Sequence, residues 1–96
     1  MSYDMGIGDE SFNLTYNVAP MLYKHNEQGI RFIYGKNGLE ASVLLVDMYH
    51  YFLDNMEELE KLNPTNGWGS WSNTVDLLNR MIKASVNNKD KIWDGD

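Results

Sequence analysis

The sequence has 96 residues, no cysteine and a formal net charge of −6. A chain of this length forms one domain, taken here as residues 1–96, and without cysteine it has neither a disulfide framework nor a thiolate metal site. Its acidic balance argues against binding to a nucleic-acid polymer or an anionic membrane, because contacts with phosphate depend on lysine and arginine. The first residues lack the pattern of a signal peptide and no segment reaches the ~18 apolar residues of a membrane span, so we expect a cytoplasmic protein.

The N-terminal segment begins with residues 1–11, which are rich in glycine and aspartate, show little periodicity and predict a loose arm. Phe12, Leu14 and Tyr16 alternate with polar residues, which is the period of a short half-buried strand. Asn17 can then cap a short helix, with Pro20 in its first turn, where a missing N–H does no harm.

A β-branched and aromatic run, residues 30–34, follows that short helix and predicts an extended segment or a short strand. The next feature is a glycine-rich turn in which Asn37 and Glu40 have the spacing of a capping box. It therefore predicts the start of a second helix.

The strongest periodicity lies between Leu39 and Leu62, a span without proline or glycine. Apolar residues recur there at alternating steps of four and three: Leu45, Tyr49, Phe52, Met56 and Leu59. Further apolar residues fall on the other faces, and a helix that is apolar nearly all round must be covered on more than one side. In so short a chain this favours a homo-oligomer, a dimer or tetramer, and the alternative is a central helix wrapped by its own domain.

A loop over residues 63–70 ends this helix, and Ser70 or Ser72 can cap the last one. The predicted inner stripe of the last helix is Trp71, Val75, Leu78 and Ile82. Residues 89–96 read as a polar tail. The predicted fold class is therefore mainly α, with about three helices (short, long central and C-terminal), minor extended segments and an oligomeric helical assembly.

No group of residues has the pattern of an active site. His50 shares one helix face with Asp47 and Asp54, but this is typical of a solvated surface, because a metal site usually needs ligands from a second element. There is no nucleophile elbow and no phosphate loop. We predict a protein that is not an enzyme, with no catalytic residue, no metal and no cofactor.

Two tryptophans, Trp68 and Trp71, stand three residues apart on the loop that precedes the last helix. Asn66 beside them has an amide that both donates and accepts hydrogen bonds. Both tryptophans can simply cap the core at the helix junction, and Trp71 fits this reading because it continues the helical stripe. Trp68, between two glycines, is the better candidate for stacking on a planar ligand.

A locally basic stretch lies near three tyrosines. Tyr16, Tyr23 and Tyr34 flank Lys24, Arg31 and Lys36. Aromatic faces and cations together suit a nucleobase with its phosphate, and Arg31 can hold phosphate in a bidentate way. The alternative is a set of core tyrosines with a few surface cations.

Three segments resemble a family of small proteins from tailed bacteriophages: Thr15 to Met21 (TYNVAPM), Gly29 to Arg31 and Asn63 to Gly69 (NPTNGWG). The resemblance extends over nearly the whole chain. It implies an immune-evasion "sponge" of the anti-CBASS or anti-Thoeris type, a homo-oligomer in the host bacterial cytoplasm that sequesters a small, cyclic nucleotide signal without hydrolysing it. The implied ligand-binding residues are Tyr16, Asn17, Arg31, Asn66 and Trp68.

An alternative function also follows from the charge. The acidic surface could imitate nucleic acid and inhibit a basic host protein, comparable to anti-CRISPR proteins.

Overall fold

In a computed structural model that describes residues 1–96, the chain combines four α-helices with a three-stranded antiparallel sheet. The strands are β1 (Ser2–Ile7), β2 (Glu10–Thr15) and β3 (Asp94–Gly95), and β1 lies at the centre of the sheet. The helices are α1 (Ala19–His25), α2 (Gly38–Asp54), α3 (Met56–Glu60) and α4 (Trp71–Asn87). The fold is α+β, so the prediction of a mainly α assembly was wrong.

The segment expected to be a loose arm, residues 1–11, instead forms β1 and the start of β2. Tyr3, Met5 and Ile7 alternate with polar or small residues, and their side chains are buried. Gly8 and Asp9 make a two-residue hairpin turn, with Gly8 at φ 58°, a value that a type II′ turn needs at this position. The strand predicted around Phe12 and Leu14 is confirmed as β2.

The expected polar tail, residues 89–96, is also part of the fold. Trp93 is 1% exposed and belongs to the same core cluster as the residues of β1. Its backbone N–H donates to the oxygen of Lys36 and its own oxygen accepts from the N–H of Gly35, both at 2.9 Å. The chain then adds β3 to the free edge of β1.

Residues 30–34 do not form a strand, because Gly29–Ile33 is a 3₁₀ helix. Ile30 and Ile33 lie three residues apart in that helix and are both fully buried. An apolar run of this length suits either a strand or a short helical turn, which explains the wrong assignment.

The long helix begins as predicted, since the side chain of Asn37 accepts a hydrogen bond from the backbone N–H of Glu40. It does not reach Leu62, however: α2 ends at Asp54 and α3 follows after Asn55. The backbone N–H and the side-chain amide of Asn55 both donate to the oxygen of Tyr51, at 3.0 and 2.9 Å, and so end α2.

The first and last helices also depart in detail from the predictions. Asn17 lies in a 3₁₀ turn (Tyr16–Val18), and the N-cap of α1 is Val18. Ser70 caps α4 as predicted. The buried face of α4 is rotated from the predicted stripe and consists of Thr74, Leu77, Leu78, Met81, Ala84 and Ser85.

Candidate ligand-binding site

The loop between α3 and α4 is held by its own asparagines. Asn63 Oδ1 accepts from the backbone N–H of Trp71 at 2.8 Å, and Asn66 Oδ1 accepts from that of Trp68 at 2.9 Å. Gly67 and Gly69 have φ values of 80° and 89°, a region that residues with a side chain rarely adopt. Four of the seven residues of the NPTNGWG segment therefore define its backbone path.

Gly69 also packs closely against the segment that follows β2. A Cβ atom at this position would lie 2.7 Å from Thr15 Cγ2 and 2.9 Å from Val18 Cγ1. The absence of a side chain thus lets the NPTNGWG loop lie directly on the TYNVAPM segment. These two segments, which are about 50 residues apart in the sequence, are therefore neighbours in space.

The two loop tryptophans have different environments. Trp71 is half-buried against the core, and its Nε1–H donates to the oxygen of Phe52 at 2.9 Å. Trp68 is 71% exposed, and its side chain makes no hydrogen bond in the structure. Trp71 therefore joins α4 to α2, whereas Trp68 is a large aromatic face open to solvent on an ordered loop.

Trp68 borders a cleft of about 430 Å³, which we call the Trp68 cleft. The other lining residues are Met1, Ser2, Asn13, Thr15 and Asn17. Apart from Trp68 and Met1 the lining side chains are hydroxyls and amides. The cleft therefore offers a stacking surface beside neutral hydrogen-bonding groups.

One wall of the Trp68 cleft is ordered by hydrogen bonds between β1 and β2. Asn13 Nδ2 donates to Ser2 Oγ at 2.8 Å and to Asp4 Oδ1 at 2.7 Å, which leaves Asn13 Oδ1 as an acceptor. Asn17 is bonded through its backbone N–H, which donates to Thr15 Oγ1 at 3.2 Å. Its side-chain amide is exposed and remains free to donate and to accept.

A second cluster lies next to the same turn, and we call it the Arg31 cluster. It contains Tyr3, Tyr16, Arg31, Tyr34 and Asp96. The Arg31 guanidinium carbon lies 4.8 Å from the ring centre of Tyr3 and 5.9 Å from that of Tyr16. These distances are those of cation–π contacts.

Hydroxyl groups link the Arg31 cluster to a carboxylate. The hydroxyls of Tyr16 and Tyr34 donate to Asp96 at 3.3 and 3.2 Å, and an Arg31 N–H donates to the Tyr16 hydroxyl at 3.4 Å. Arg31 is exposed, and its remaining N–H groups have no partner in the structure. The guanidinium is therefore positioned by aromatic rings and is still able to bind an anion.

Burial and neighbouring groups raise the pKa values of two tyrosines in the Arg31 cluster. Burial, followed by the neighbouring hydroxyl of Tyr23, raises the pKa of Tyr3 to about 12. Burial, followed by the negative charge of Asp96, raises the pKa of Tyr34. Both hydroxyls therefore remain protonated at neutral pH, and Tyr34 can donate to the carboxylate.

The Trp68 cleft and the Arg31 cluster lie on either side of one short segment. Thr15 and Asn17 line the cleft, and Tyr16 between them turns to Tyr3, with ring centres 4.5 Å apart. The residue types that suit a planar group and those that suit an anion thus flank a single turn.

The predicted site residues fall into three groups. Asn17 and Trp68 line the Trp68 cleft, and Tyr16 and Arg31 belong to the Arg31 cluster. Tyr23 lies beside the Arg31 cluster, where its hydroxyl neighbours that of Tyr3. Asn66 and Trp71 form hydrogen bonds that fix the conformation of the loop between α3 and α4.

The two predicted lysines are not part of this arrangement. Lys24 lies at a separate depression, with Glu58 and Lys61. Lys36 pairs through its backbone with Trp93.

Sequence reasoning did not identify Ser2, Tyr3, Asn13 or Asp96 as neighbours of the site. The signal for Tyr3 was its alternation with Met5 and Ile7, which predicts a strand. The pairing of Ser2 with Thr15 and of Asp4 with Asn13 follows from the hairpin register. No local pattern brings Asp96 to residues 16 and 34.

Comparison with protein-family models, with curated proteins and with solved structures finds no match to this chain. No group of histidine and acidic side chains is arranged to hold a metal ion. Asp47 instead accepts from His25 Nε2 at 2.7 Å, a contact between α2 and α1. None of the helices has both the length and the apolar character that crossing a membrane requires.

Proposed function

We propose that the protein binds a small nucleotide and sequesters it without hydrolysis, with the base stacked on Trp68. The observation that carries the proposal is an exposed tryptophan, held by a hydrogen-bonded loop, beside the free amide of Asn17. A large apolar ring that neither packs nor pairs is unfavourable in water unless a ligand covers it.

The neutral lining of the Trp68 cleft fits the edge of a nucleobase. A base presents donors and acceptors in one plane. The free amide of Asn17 can match either kind, and Asn13 offers its Oδ1 as an acceptor. Stacking of one base on an aromatic side chain contributes roughly 1–3 kcal/mol. The amides then select the base, while Trp68 supplies most of the affinity.

Arg31 is the group that we expect to bind the phosphate. It lies on the other side of the Thr15–Asn17 turn and has N–H donors without a partner. A phosphate extending from a base in the cleft toward this turn would form charge-assisted hydrogen bonds with the guanidinium. The family resemblance supports a cyclic nucleotide signal, a bacterial host cytoplasm and a role in immune evasion.

The test is a binding titration with cyclic dinucleotides and ADP-ribose derivatives. Binding is measured by the shift in melting temperature and by the change in tryptophan fluorescence. We expect at least one ligand to raise the melting temperature by mass action and to quench fluorescence. Trp68→Ala should weaken its binding roughly 5- to 150-fold, which corresponds to about 1–3 kcal/mol. Val86→Ala, at an exposed position of α4, is the matched control and should bind normally.

Sequestration also predicts the fate of the ligand. Ligand released from the protein by heat after long incubation should be recovered chemically intact. Recovery of a cleaved product would contradict sequestration, and the absence of any stabilising ligand in the panel would overturn the nucleotide proposal.

A second candidate function rests on a different surface. A shallow groove of about 680 Å³ on the outer face of the sheet is lined by Asp4, Asp94 and Asp96, and no lysine or arginine lines it. Such a surface favours a basic protein partner. Asp94→Asn should then weaken salt-sensitive capture of one basic host protein, while leaving nucleotide binding unchanged.

A further inference from the structure

A stripe of apolar residues lies on the outward face of α2. Leu39, Val43, Val46 and Leu53 are 57, 67, 36 and 44% exposed. His50, which is also exposed, completes the row. A row of apolar side chains along a whole helix is unusual on a surface that faces only water.

This outer stripe lies opposite the face of α2 that packs on its own domain. The inner face is formed by Ala41, Leu45, Met48 and Phe52, all fully buried. At about 100° per residue, the centres of the two stripes are separated by about 150° around the helix axis. No other element of the chain covers the outer stripe, whose apolar members are all exposed.

The spacing of the outer stripe specifies a helix as its partner. Its members follow one another at steps of four, three, four and three residues, from Leu39 to Leu53. This is the 3.5-residue period that keeps one seam facing another helix over several turns. A strand or an irregular loop would not need this period.

The residue types along the seam fit a pair of parallel identical helices. In heptad terms, Val43 and His50 occupy a positions, and Leu39, Val46 and Leu53 occupy d positions. A β-branched residue at a with leucine at d favours two parallel strands, and one polar a residue sets the register at a cost in stability. In such a pair each seam residue contacts the same residue of the other helix. The two His50 side chains contact each other in only one register of the helices.

The charges beside the seam also favour the parallel arrangement. Glu40, Asp47 and Asp54 form a row at the e positions, whereas Ser42 and Tyr49 occupy g positions. In an antiparallel pair the two acidic rows would face each other, which is unfavourable. In a parallel pair each acidic row faces the hydroxyl-bearing row of the other helix.

We infer that α2 pairs in parallel with α2 of a second copy of this chain, through the seam from Leu39 to Leu53. The interface is independent of the Trp68 cleft, which lies on the loop before α4 and on the N-terminal hairpin. It explains why a helix in a small acidic protein is apolar on two opposite faces.

The first test is the oligomeric state, measured by sedimentation and native mass spectrometry on the full chain. We expect a dimer at micromolar concentration. Val43→Glu should raise its dissociation constant by roughly 100-fold or more, because it places like charges in contact across the seam. Val86→Glu introduces the same charge at an exposed valine of α4 and should leave the dimer intact.

The second test uses the absence of cysteine to establish the orientation. Leu39→Cys and Leu53→Cys should each form a disulfide-linked dimer on mild oxidation, because a disulfide requires Cα atoms within about 7 Å. In an antiparallel pair identical positions at the helix ends would be about 20 Å apart. A cross-link that forms only between the two different variants would overturn the parallel arrangement.

A monomeric wild-type chain at these concentrations would overturn the proposal as a whole. A dimer that survives Val43→Glu would also contradict it, because the interface would then lie elsewhere. Circular dichroism on each variant distinguishes loss of pairing from loss of folding.

Discussion

Trp93 is the buried aromatic residue on which the C-terminal segment depends. Its Nε1–H donates to Ser85 Oγ at 2.9 Å, and the Ser85 hydroxyl donates to the oxygen of Met81 at 2.9 Å. Both residues are at most 1% exposed, so water cannot replace either bond. This chain of hydrogen bonds joins the segment before β3 to the end of α4.

We predict that Ser85→Ala lowers the free energy of unfolding by about 1–3 kcal/mol, because it leaves the indole N–H of Trp93 buried without an acceptor. Urea denaturation measures the change. Trp93→Phe removes the N–H itself, so the double variant should lose less stability than the sum of the two single variants. Simple additivity would contradict a direct hydrogen-bond coupling.

Trp68 and Trp71 show how two identical residues on one loop acquire different roles. The indole N–H of Trp71 donates to the carbonyl of Phe52 near the end of α2, whereas that of Trp68 has no partner within the chain. Their spacing in the sequence is compatible with both roles for either residue. The sequence favours Trp71 for the core because it continues the helical stripe, and the structure adds the carbonyl of Phe52 as its hydrogen-bond partner.

At the scale of elements, the loop between α3 and α4 depends on two glycines for different reasons. Both have positive φ, but a Cβ at Gly67 meets nothing within 4 Å, whereas at Gly69 it overlaps Thr15 and Val18. The first glycine is required by backbone conformation alone, and the second by conformation and packing.

We predict that Gly67→Ala costs about 1–2 kcal/mol of unfolding free energy, the usual cost of a left-handed residue with a side chain. Gly69→Ala should cost clearly more, since Thr15 and Val18 must also move. It should also weaken ligand binding in the Trp68 cleft, while Gly67→Ala serves as the matched control. Equal costs in urea denaturation would contradict the close packing of the loop on this segment.

Gly38 and Trp71 also determine how α2 and α4 meet. A Cβ at Gly38 would lie 2.3 Å from the backbone oxygens of Ser85 and Asn88, so the first turn of α2 rests directly on the end of α4. At the other end, Trp71 bonds to Phe52. The two helices are therefore antiparallel neighbours, and α2 buries one face while its opposite face stays exposed.

At the scale of the whole molecule, the Arg31 cluster joins three distant parts of the chain. Tyr3 comes from β1, Tyr34 follows the 3₁₀ helix and Asp96 follows β3. Because the cluster exists only when these segments meet, its titration is linked to folding. Both raised pKa values mean that the folded state favours the protonated tyrosines.

The sign of the pH dependence follows from these shifts. The stabilisation from Tyr3 is fully present below the ordinary tyrosine pKa of about 10 and is lost as the pH rises through its folded value of about 12. We therefore predict that the free energy of unfolding falls across this alkaline window. Urea denaturation at a series of pH values should show a smaller fall for Tyr3→Phe than for the wild type.

The control for this experiment is Tyr51→Phe, which changes a tyrosine of α2 outside the Arg31 cluster. Its alkaline fall in stability should match that of the wild type. An equal fall in Tyr3→Phe and Tyr51→Phe would show that the cluster does not contribute to the pH dependence.

Sequence reasoning succeeded where an element depends on near neighbours. Asn37 with Glu40 and Ser70 before α4 are confirmed caps, since a side chain and an N–H a few residues apart suffice to make them. The strand around Leu14 is likewise confirmed. The homo-oligomer, the nucleotide ligand and the family resemblance remain predictions.

The sequence by itself determined the starts of the two long helices and the alternation of β2, because these depend on spacing along the chain. Only the tertiary structure decided that residues 2–7 lie between β2 and β3, that Trp93 is buried and that Asp96 meets Tyr16 and Tyr34. The contacts of β3 with β1, and of Asp96 with Tyr16 and Tyr34, join residues 62 to 90 positions apart, where no local preference acts and the gain comes from shared burial. The seam of α2 depends on both the sequence and the tertiary structure. Its period can be read from the sequence, but only the fold shows that the seam is exposed to solvent.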